Sequence, residues 1–230
     1  MTLITTLIGE SFSIIAGEGC TVTDDKKVDE KLRKVYINSD SCVAFAGENW
    51  ITEEFTKKNI YVASLIEHFL SDNKTFLNCG ELSCKLTDKL KEHNKQLKTE
   101  LFISTRMNGK IENAYANTFN DSVQKIAFEK DVIKLQFSYH PKKEYKLLED
   151  HFIKKWNEYF SLKQDNKLRF HILIHNIDEI CKFLDSFYSE VWKFSCIDSF
   201  AIGKSKDIAV VEIDNIRFYK KENLTTIEKL

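Results

Sequence analysis

Short apolar runs alternate with polar turns over the first 50 residues of the chain, a pattern typical of antiparallel strands. The runs are rich in β-branched and aromatic residues, and the first two are separated by Gly9, which favours a tight turn. The pattern predicts two hairpins with strands at Leu3–Ile8, Phe12–Ala16, Val35–Ile37 and Cys42–Ala46.

Helical periodicity replaces the strand pattern in two places. The first lies after Thr52, where apolar residues recur every three to four positions and predict two consecutive helices, with faces at Phe55, Tyr61, Leu65 and Phe69 and then at Leu82, Leu86, Leu90 and Leu97. In the second place, the periodicity predicts one helix after Pro141 and another after Asn176. Asn176 is the expected N-cap of the later helix, because Asn is favoured at that position.

Strand-like segments separate the two helix pairs and follow the second one. Asn108-Gly109 is a strong signal for a two-residue hairpin turn and predicts pairing of the segments on either side. The predicted strands are Leu101–Thr105, Ile111–Thr118, Ser122–Phe128, Val132–Ser138, Ser199–Ile202 and Ile208–Tyr219, while Leu168–Ile174 alternates like a strand without an assigned place.

The order of these elements predicts the fold class. Strands, two helices, strands, two helices and strands follow one another, and two helix pairs that interrupt strand blocks can cover opposite faces of two stacked sheets. No linker rich in Pro, Gly or Ser divides the chain. We therefore predict an α+β protein with a four-layer αββα sandwich, formed by residues 1–230 as a single domain.

The composition of the chain bears on its partners, its location and its metal content. The 34 Lys and Arg residues are balanced by 35 Asp and Glu, so nothing requires nucleic acid or an anionic membrane as a partner. No apolar run reaches the roughly 18 residues of a membrane span, and the first residues lack a secretion signal. The six cysteines are scattered, which predicts buried, reduced thiols in the cytoplasm. His171 and His175 have no companion ligands in the sequence, so we predict no metal site.

The N-terminal segment carries the candidate chemistry. Removal of Met1 would leave Thr2 with a free α-amine, and a terminal amine can act as the base that activates a threonine hydroxyl. Glu18 lies between two glycines at a strand end, and Lys34 precedes an apolar strand. A lysine ammonium near the amine would lower the amine pKa, and a buried lysine needs a carboxylate. The backbone N–H of Gly47 could stabilise an oxyanion.

The spacing of these residues resembles a known family. The segments are Met1-Thr2, Ala16-Gly17-Glu18-Gly19, Arg33-Lys34-Val35 and Ala44-Phe45-Ala46-Gly47. Together they look like the catalytic subunits of the proteasome, which are N-terminal-nucleophile hydrolases. They are nearest to the bacterial proteasome-like peptidase that works with an ATP-driven unfoldase.

The resemblance implies a role for each matching residue. Thr2 would be the nucleophile, Glu18 the acidic residue in place of the family's Asp, Lys34 the essential lysine and Gly47 the oxyanion-hole glycine. It also implies that Asp198 and Ser199 support the amine and that Thr21 and Phe45 contact the substrate. It implies no cofactor. The Phe45 ring is expected to shorten the pocket and favour small substrate side chains.

Two segments depart from the family pattern. Glu48-Asn49-Trp50-Ile51 stands where the family has small residues and an Asp, and Ser138-Tyr139-His140 replaces a Gly-Ser-Gly segment. A second register, starting at Thr5-Thr6, is disfavoured by spacing. Thr2 precedes Glu18 by sixteen residues, as the family requires, whereas Thr6 precedes it by twelve.

Several functions remain open from the sequence. The first is a cytoplasmic threonine peptidase or amidase that cleaves peptide or other amide bonds through an acyl-enzyme on Thr2. The same nucleophile would serve a transamidase or ligase if an amine intercepted the acyl-enzyme. A proteasome-like subunit without catalysis, with a structural or regulatory role, is the other alternative. By the resemblance, we expect a peptide or protein substrate, a homo-oligomeric ring and an ATP-dependent unfoldase as possible partner.

Overall fold

The computed structural model describes most of the chain. The described residues are 2–19, 21–23, 26–29, 32–52, 56, 58–72, 78–129, 132–139, 145–160, 168–169, 176–198 and 202–222. None of the helices within these ranges is both long and apolar enough to cross a membrane.

Strands account for the larger share of the described structure. In chain order they are β1 (Leu3–Ile8), β2 (Phe12–Glu18), β3 (Thr21–Thr23), β4 (Lys26–Asp29), β5 (Val35–Ile37), β6 (Ser41–Gly47), β7 (Trp50–Thr52), β8 (Asn59–Tyr61), β9 (Thr99–Met107), β10 (Lys110–Asn117), β11 (Ser122–Ile126), β12 (Val132–Tyr139), β13 (Leu168–Arg169), β14 (Lys206–Glu212) and β15 (Ile216–Lys221). The helices are α1 (Val62–Asp72), α2 (Cys79–His93), α3 (Tyr145–Tyr159) and α4 (Ile177–Asp198).

Two antiparallel sheets organise the strands. The first has the order β13-β12-β1-β2-β14-β15 and the second has the order β11-β10-β9-β6-β5, while β3–β4 and β7–β8 form separate two-stranded ribbons. The predicted turns at Gly9 and at Asn108-Gly109 are confirmed. Gly9 N donates to Phe12 O at 3.0 Å, and both Asn108 and Gly109 have positive φ, as a tight hairpin turn requires.

Three apolar clusters hold these elements together. One joins α3 and α4 to the six-stranded sheet and is rich in aromatic rings. A second joins α1 and α2 to the five-stranded sheet. The third contains side chains from both sheets, among them Ile15, Ala44 and Phe102. Burying each such side chain contributes about 1.5–3 kcal/mol, so the clusters fix the two sheets and the strand ends between them.

The predicted four-layer αββα sandwich is corrected by the structure. The described part of the protein is built mainly of antiparallel sheets and contains four helices. Part of the difference lies after Thr52, where a helix was predicted. β7 ends at Thr52, β8 follows at Asn59–Tyr61, and α1 begins only at Val62. Tyr61 fits the helical spacing of the sequence but is the last residue of β8.

Other predicted elements are confirmed with shifted ends. The helix after Asn176 extends to Asp198, and the one with the leucine face ends at His93, before Leu97. Asn176 caps its helix through a hydrogen bond from Asp178 N at 3.0 Å. Only Leu168 and Arg169 of the predicted strand Leu168–Ile174 are described as strand. Ser199, Phe200 and Ala201 lie outside the described residues, as do His171 and His175.

Four cysteines are free thiols, namely Cys42, Cys79, Cys84 and Cys181. Cys42, Cys79 and Cys181 are buried, as predicted, and burial raises the pKa of Cys181 to about 12. Cys84 is exposed on α2, so the prediction of burial is wrong for this residue.

Candidate active site

The two predicted hairpins bring the ends of four strands together. Thr2 directly precedes β1, and Glu18 ends β2; Ile4 pairs with Gly17, so the two side chains start from neighbouring positions. Lys34 directly precedes β5, and Phe45 N donates to Lys34 O at 3.2 Å. Because β5 and β6 are antiparallel, the start of β5 lies beside the end of β6, where Gly47 is found.

A lysine–threonine hydrogen bond forms the centre of this site. Lys34 Nζ donates to Thr2 Oγ1 at 3.1 Å, and the exposed fractions of the two residues are 0% and 1%. Lys34 Nζ also donates to the side-chain oxygen of Asn49 and lies 4.7 Å from the centroid of the Phe45 ring. The hydroxyl, the amide oxygen and the ring face are all suitable partners for an ammonium group. The Lys34 nitrogen thus lies directly against the candidate nucleophile.

Glu18 fixes two backbone segments. Its carboxylate accepts a hydrogen bond from Leu3 N at 2.9 Å through one oxygen and from Gly203 N at 2.7 Å through the other. The residue is fully buried. Charge-assisted bonds of this kind are stronger than neutral ones. Glu18 therefore holds the chain immediately after Thr2 against the loop that follows α4.

Gly47 adopts a backbone conformation that requires glycine. Its φ is +114°, and an added Cβ would lie 2.3 Å from Lys98 O. The next residue, Glu48, donates its N–H to the same Lys98 carbonyl at 3.1 Å. The end of β6 is thus pressed against the chain before β9, and no side chain fits at position 47.

Replacing Gly47 with alanine is expected to lower the free energy of unfolding by about 2 kcal/mol or more, because strain at positive φ adds to the clash with Lys98 O. Gly109→Ala is the matched control, since Gly109 also has positive φ but has nothing within 4 Å of an added Cβ. Urea unfolding of both variants measures the difference. Equal destabilisation would show that the close approach of Lys98 is unimportant.

Tyr188 was not singled out by the sequence analysis, although it supports this site. Its hydroxyl lies 2.9 Å from Ala16 O, 3.3 Å from Leu3 O and 3.2 Å from Thr5 Oγ1. Complete burial raises the pKa of the Tyr188 phenol, so it stays a protonated donor. α4 thereby braces β1 and β2 next to Thr2 and Glu18. The available signal was a hydroxyl on an apolar helix face, which needs a partner when buried.

Arg33 and Asp207 form a buried ion pair behind the site. Arg33 Nε lies 3.6 Å from Asp207 Oδ2, with exposed side-chain fractions of 7% and 0%. Asp207 also accepts a hydrogen bond from Glu222 N at 2.9 Å and pairs with Gly17 across the sheet. The pair therefore connects the residue before Lys34 with the strand position before Glu18.

Asp207→Asn is expected to lower the free energy of unfolding by about 3 kcal/mol, because it leaves the Arg33 charge buried without the carboxylate. The control is Asp178→Asn, which removes the exposed ion pair with Arg217 and should cost less than about 1 kcal/mol. Thermal or urea unfolding measures both. Equal costs for the two variants would contradict the structural role of the buried pair.

A second ion-pair network joins α4 to β14. Asp185 Oδ1 lies 2.7 Å from both Lys206 Nζ and Lys220 Nζ, and Lys206 pairs with Glu18 across the sheet. Burial opposes ionisation of Asp185, but the hydrogen bonds from the two ammonium groups outweigh it and hold the pKa below its usual value.

A carboxyl group whose pKa is lowered by folding stabilises the fold at pH values above its pKa in the unfolded chain, which is about 3.9. This stabilisation is lost as the pH falls through the pKa of the group in the folded protein. Asp185→Asn should therefore cost about 1 kcal/mol at neutral pH, because the group is about one-third exposed, and progressively less below a pH of about 4. Urea unfolding across that range measures this, with the exposed Asp88→Asn as control. A cost independent of pH would contradict the ionic origin.

The remaining predicted site residues are placed less fully. Asp198 is the last residue of α4. Thr21 is the first residue of β3. Ser199 lies outside the described residues. Phe45 is fully buried beneath Lys34. Within the described ranges, no group of three or more His, Cys, Asp or Glu side chains is arranged to hold a metal ion.

Comparison with known proteins adds information on the fold. No protein-family model and no curated protein matches the chain. Among solved structures, the chain is similar to the Anbu (Gly-1) mutant from Hyphomicrobium sp. strain MC1, with a TM-score of 0.62 and 12% sequence identity over 98% of this chain and 88% of that one. At this identity the likeness concerns the fold alone. It supports a proteasome-like fold, without indicating a particular member of that family.

Proposed function

We propose that this protein is an N-terminal-threonine hydrolase that cleaves peptide or other amide bonds through an acyl-enzyme on Thr2. The observation that carries the proposal is the buried hydrogen bond from Lys34 Nζ to Thr2 Oγ1 at 3.1 Å. A solvated surface lysine would not be fully buried with its ammonium on a threonine hydroxyl. The proteasome-like fold is consistent with the same chemistry.

Removal of Met1 is the step that completes the site. It frees the α-amine of Thr2, whose unperturbed pKa of about 7.7–8.0 makes it a suitable base near neutrality. The amine removes the proton from Thr2 Oγ1. The Lys34 ammonium, already hydrogen-bonded to that oxygen, stabilises the negative charge that develops on it.

The reaction then follows two displacements. Thr2 Oγ1 attacks the substrate carbonyl carbon, and the carbonyl oxygen becomes an oxyanion that accepts a hydrogen bond from Gly47 N–H. The C–N bond breaks as the Thr2 ammonium returns the proton to the leaving amine, which gives an ester on Thr2. Water, deprotonated by the same amine, hydrolyses the ester and restores the hydroxyl.

The other residues act by position. Glu18 holds Leu3 N and Gly203 N, so it sets the direction in which Thr2 leaves β1. Asn49 accepts a hydrogen bond from the Lys34 ammonium and so helps to orient it. Asp198 and Ser199 are proposed to support the Thr2 amine, and Thr21 and Phe45 to contact the substrate, on the basis of the family resemblance alone.

The resemblance also supports proposals about the protein's setting. They are a peptide or protein substrate, a homo-oligomeric ring that encloses the sites, an ATP-dependent unfoldase as partner and a cytoplasmic location. Interception of the acyl-enzyme by an amine in place of water would make the same site a transamidase or ligase.

A specific observation favours a second candidate, a proteasome-like subunit without catalysis. The exposed fraction of Thr2 is only 1%, so a substrate carbonyl does not reach its hydroxyl while Met1 is attached. The two candidates therefore differ in the fate of Met1.

The intact mass of the purified protein tests the proposed function. The hydrolase requires a chain that is lighter by one methionine residue, with Thr2 as its first residue. A chain that keeps Met1 has an acylated Thr2 nitrogen, which cannot serve as the base. Retention of Met1 by all of the protein would therefore overturn the hydrolase proposal and favour the subunit without catalysis.

A further inference from the structure

A cavity separate from the Thr2 site lies between the edge strands of the two sheets. Its volume is about 640 Å³, and it is lined by residues at β5 and β15, which end the two large sheets, and by one face of α1. Cavities of 300–1,000 Å³ are typical of sites for small ligands. The lining residues that matter here are Arg33, Lys221, Glu67, Ile37, Leu70 and Phe218.

The lining carries separate positive and negative groups. Arg33 is 5% exposed, and its guanidinium lies 5.9 Å from the centroid of the Phe218 ring, while Lys221 Nζ lies 5.8 Å from the same centroid. Two cations therefore converge on one aromatic ring. The Arg33 guanidinium already pairs with Asp207, whereas no ion pair among the described residues involves Lys221, so the Lys221 ammonium is the charge that favours an anionic ligand group.

Glu67 supplies the opposite charge from α1. One of its carboxylate oxygens is buried and has no hydrogen-bond partner among the described residues. Within that part of the chain, no ion pair joins Glu67 or Lys221 to any group, so the two charges line one cavity without neutralising each other. A buried polar atom without a partner is costly, and a ligand ammonium would satisfy it.

The cavity wall is built on fixed backbone. Asn38 Nδ2 donates to Leu70 O at 3.4 Å and joins the end of β5 to α1, and Tyr36 OH donates to Arg33 O at 3.0 Å. The side chains of Ile37, Leu70 and Phe218 give the cavity an apolar wall between its charged groups. Such a wall accepts an aliphatic or aromatic ligand group.

We propose that this cavity binds a small zwitterion with an apolar body, that is, an apolar amino acid or a short apolar peptide with free termini. The ligand carboxylate faces Lys221, its ammonium faces Glu67, and its side chain lies against Leu70 and Phe218. The proposal does not depend on the hydrolase activity, because binding is measured directly.

Isothermal titration calorimetry with the full-length protein tests the site. The probes are L-leucine and L-leucyl-L-leucine, which distinguish an amino acid from a peptide, together with N-acetyl-leucine and leucine amide, which each lack one charge. At least one zwitterion is expected to bind at least about tenfold more tightly than either analogue. Mass spectrometry of the dipeptide afterwards separates turnover at Thr2 from binding.

Two variants and two controls locate the binding. Glu67→Gln and Lys221→Gln should each weaken binding of the zwitterion at least about tenfold. Asp72→Asn on α1 and Lys110→Gln on β10 remove the same kinds of charge from residues that do not line the cavity, and both should leave binding unchanged. The proposal is overturned if neither zwitterion binds, if an analogue binds equally well, or if both cavity variants bind as the wild type does.

Discussion

Thr2→Ala is expected to abolish covalent modification of the protein by a peptide epoxyketone, a reagent that reacts with an N-terminal hydroxyl and amine together. Loss of the nucleophile should also reduce amide hydrolysis by about 10⁴-fold or more. The physical reason is that Thr2 Oγ1 is the hydroxyl that Lys34 Nζ contacts in the buried site. Intact mass spectrometry after incubation with the reagent measures the modified fraction.

Thr6→Ala is the matched control for this experiment. Thr6 lies four residues further along the same strand and starts the alternative register of the sequence resemblance. Its hydroxyl is buried and has no hydrogen-bond partner among the described residues, so its removal should disturb the fold little. Modification should persist in Thr6→Ala and vanish in Thr2→Ala. The reverse result would move the nucleophile to the other register.

Lys34→Gln is expected to slow modification and hydrolysis by about 10²–10⁴-fold, the range associated with a positioned acid–base group. Glutamine can still donate a hydrogen bond, but it removes the positive charge at Thr2 Oγ1 and beside the Phe45 ring. The rate constant for modification reports this effect. It is measured over a range of pH, at a temperature well below the midpoint of thermal unfolding.

Lys34→Arg and unfolding measurements separate chemistry from stability at this position. The guanidinium keeps the charge, but its planar fork does not reproduce the single ammonium contact with Thr2 and Asn49. We therefore expect Lys34→Arg to be folded and slow. A Lys34→Gln protein that is folded and reacts at the wild-type rate would remove Lys34 from the mechanism.

The centre of the site could be predicted from the sequence because local hairpins create it. Thr2 and Glu18 flank the same β1–β2 hairpin, and Lys34 and Gly47 flank the β5–β6 pair, so short-range pairing brings each pair together. Once apolar periodicity had located the strands, the proximity of these four residues could be predicted, whereas the roles proposed for them rest on the family resemblance.

The supporting residues could not be predicted in this way. Tyr188 contacts Leu3 from 185 positions away in the sequence, and Asp207 contacts Arg33 from β14. No local sequence pattern encodes either contact. Asn49 appeared in the sequence only as a departure from the family pattern. Its role became visible through its bond to Lys34.

The errors in the predicted fold also have physical causes. The ribbon strands β7 and β8 contain three residues each, which is too short for a period of two to be distinguished from a helical repeat. Tyr61 therefore matched the spacing of the following helix. The prediction assigned two of the four layers to helices, whereas the structure consists mainly of antiparallel sheets with few helices.

Mapping of the epoxyketone adduct by tandem mass spectrometry tests the central claim most directly. The account predicts an N-terminal peptide that begins at Thr2, lacks Met1 and carries one reagent molecule on the Thr2 nitrogen and oxygen. An N-terminal peptide that keeps Met1 and carries no reagent, or an adduct on another residue, would contradict it.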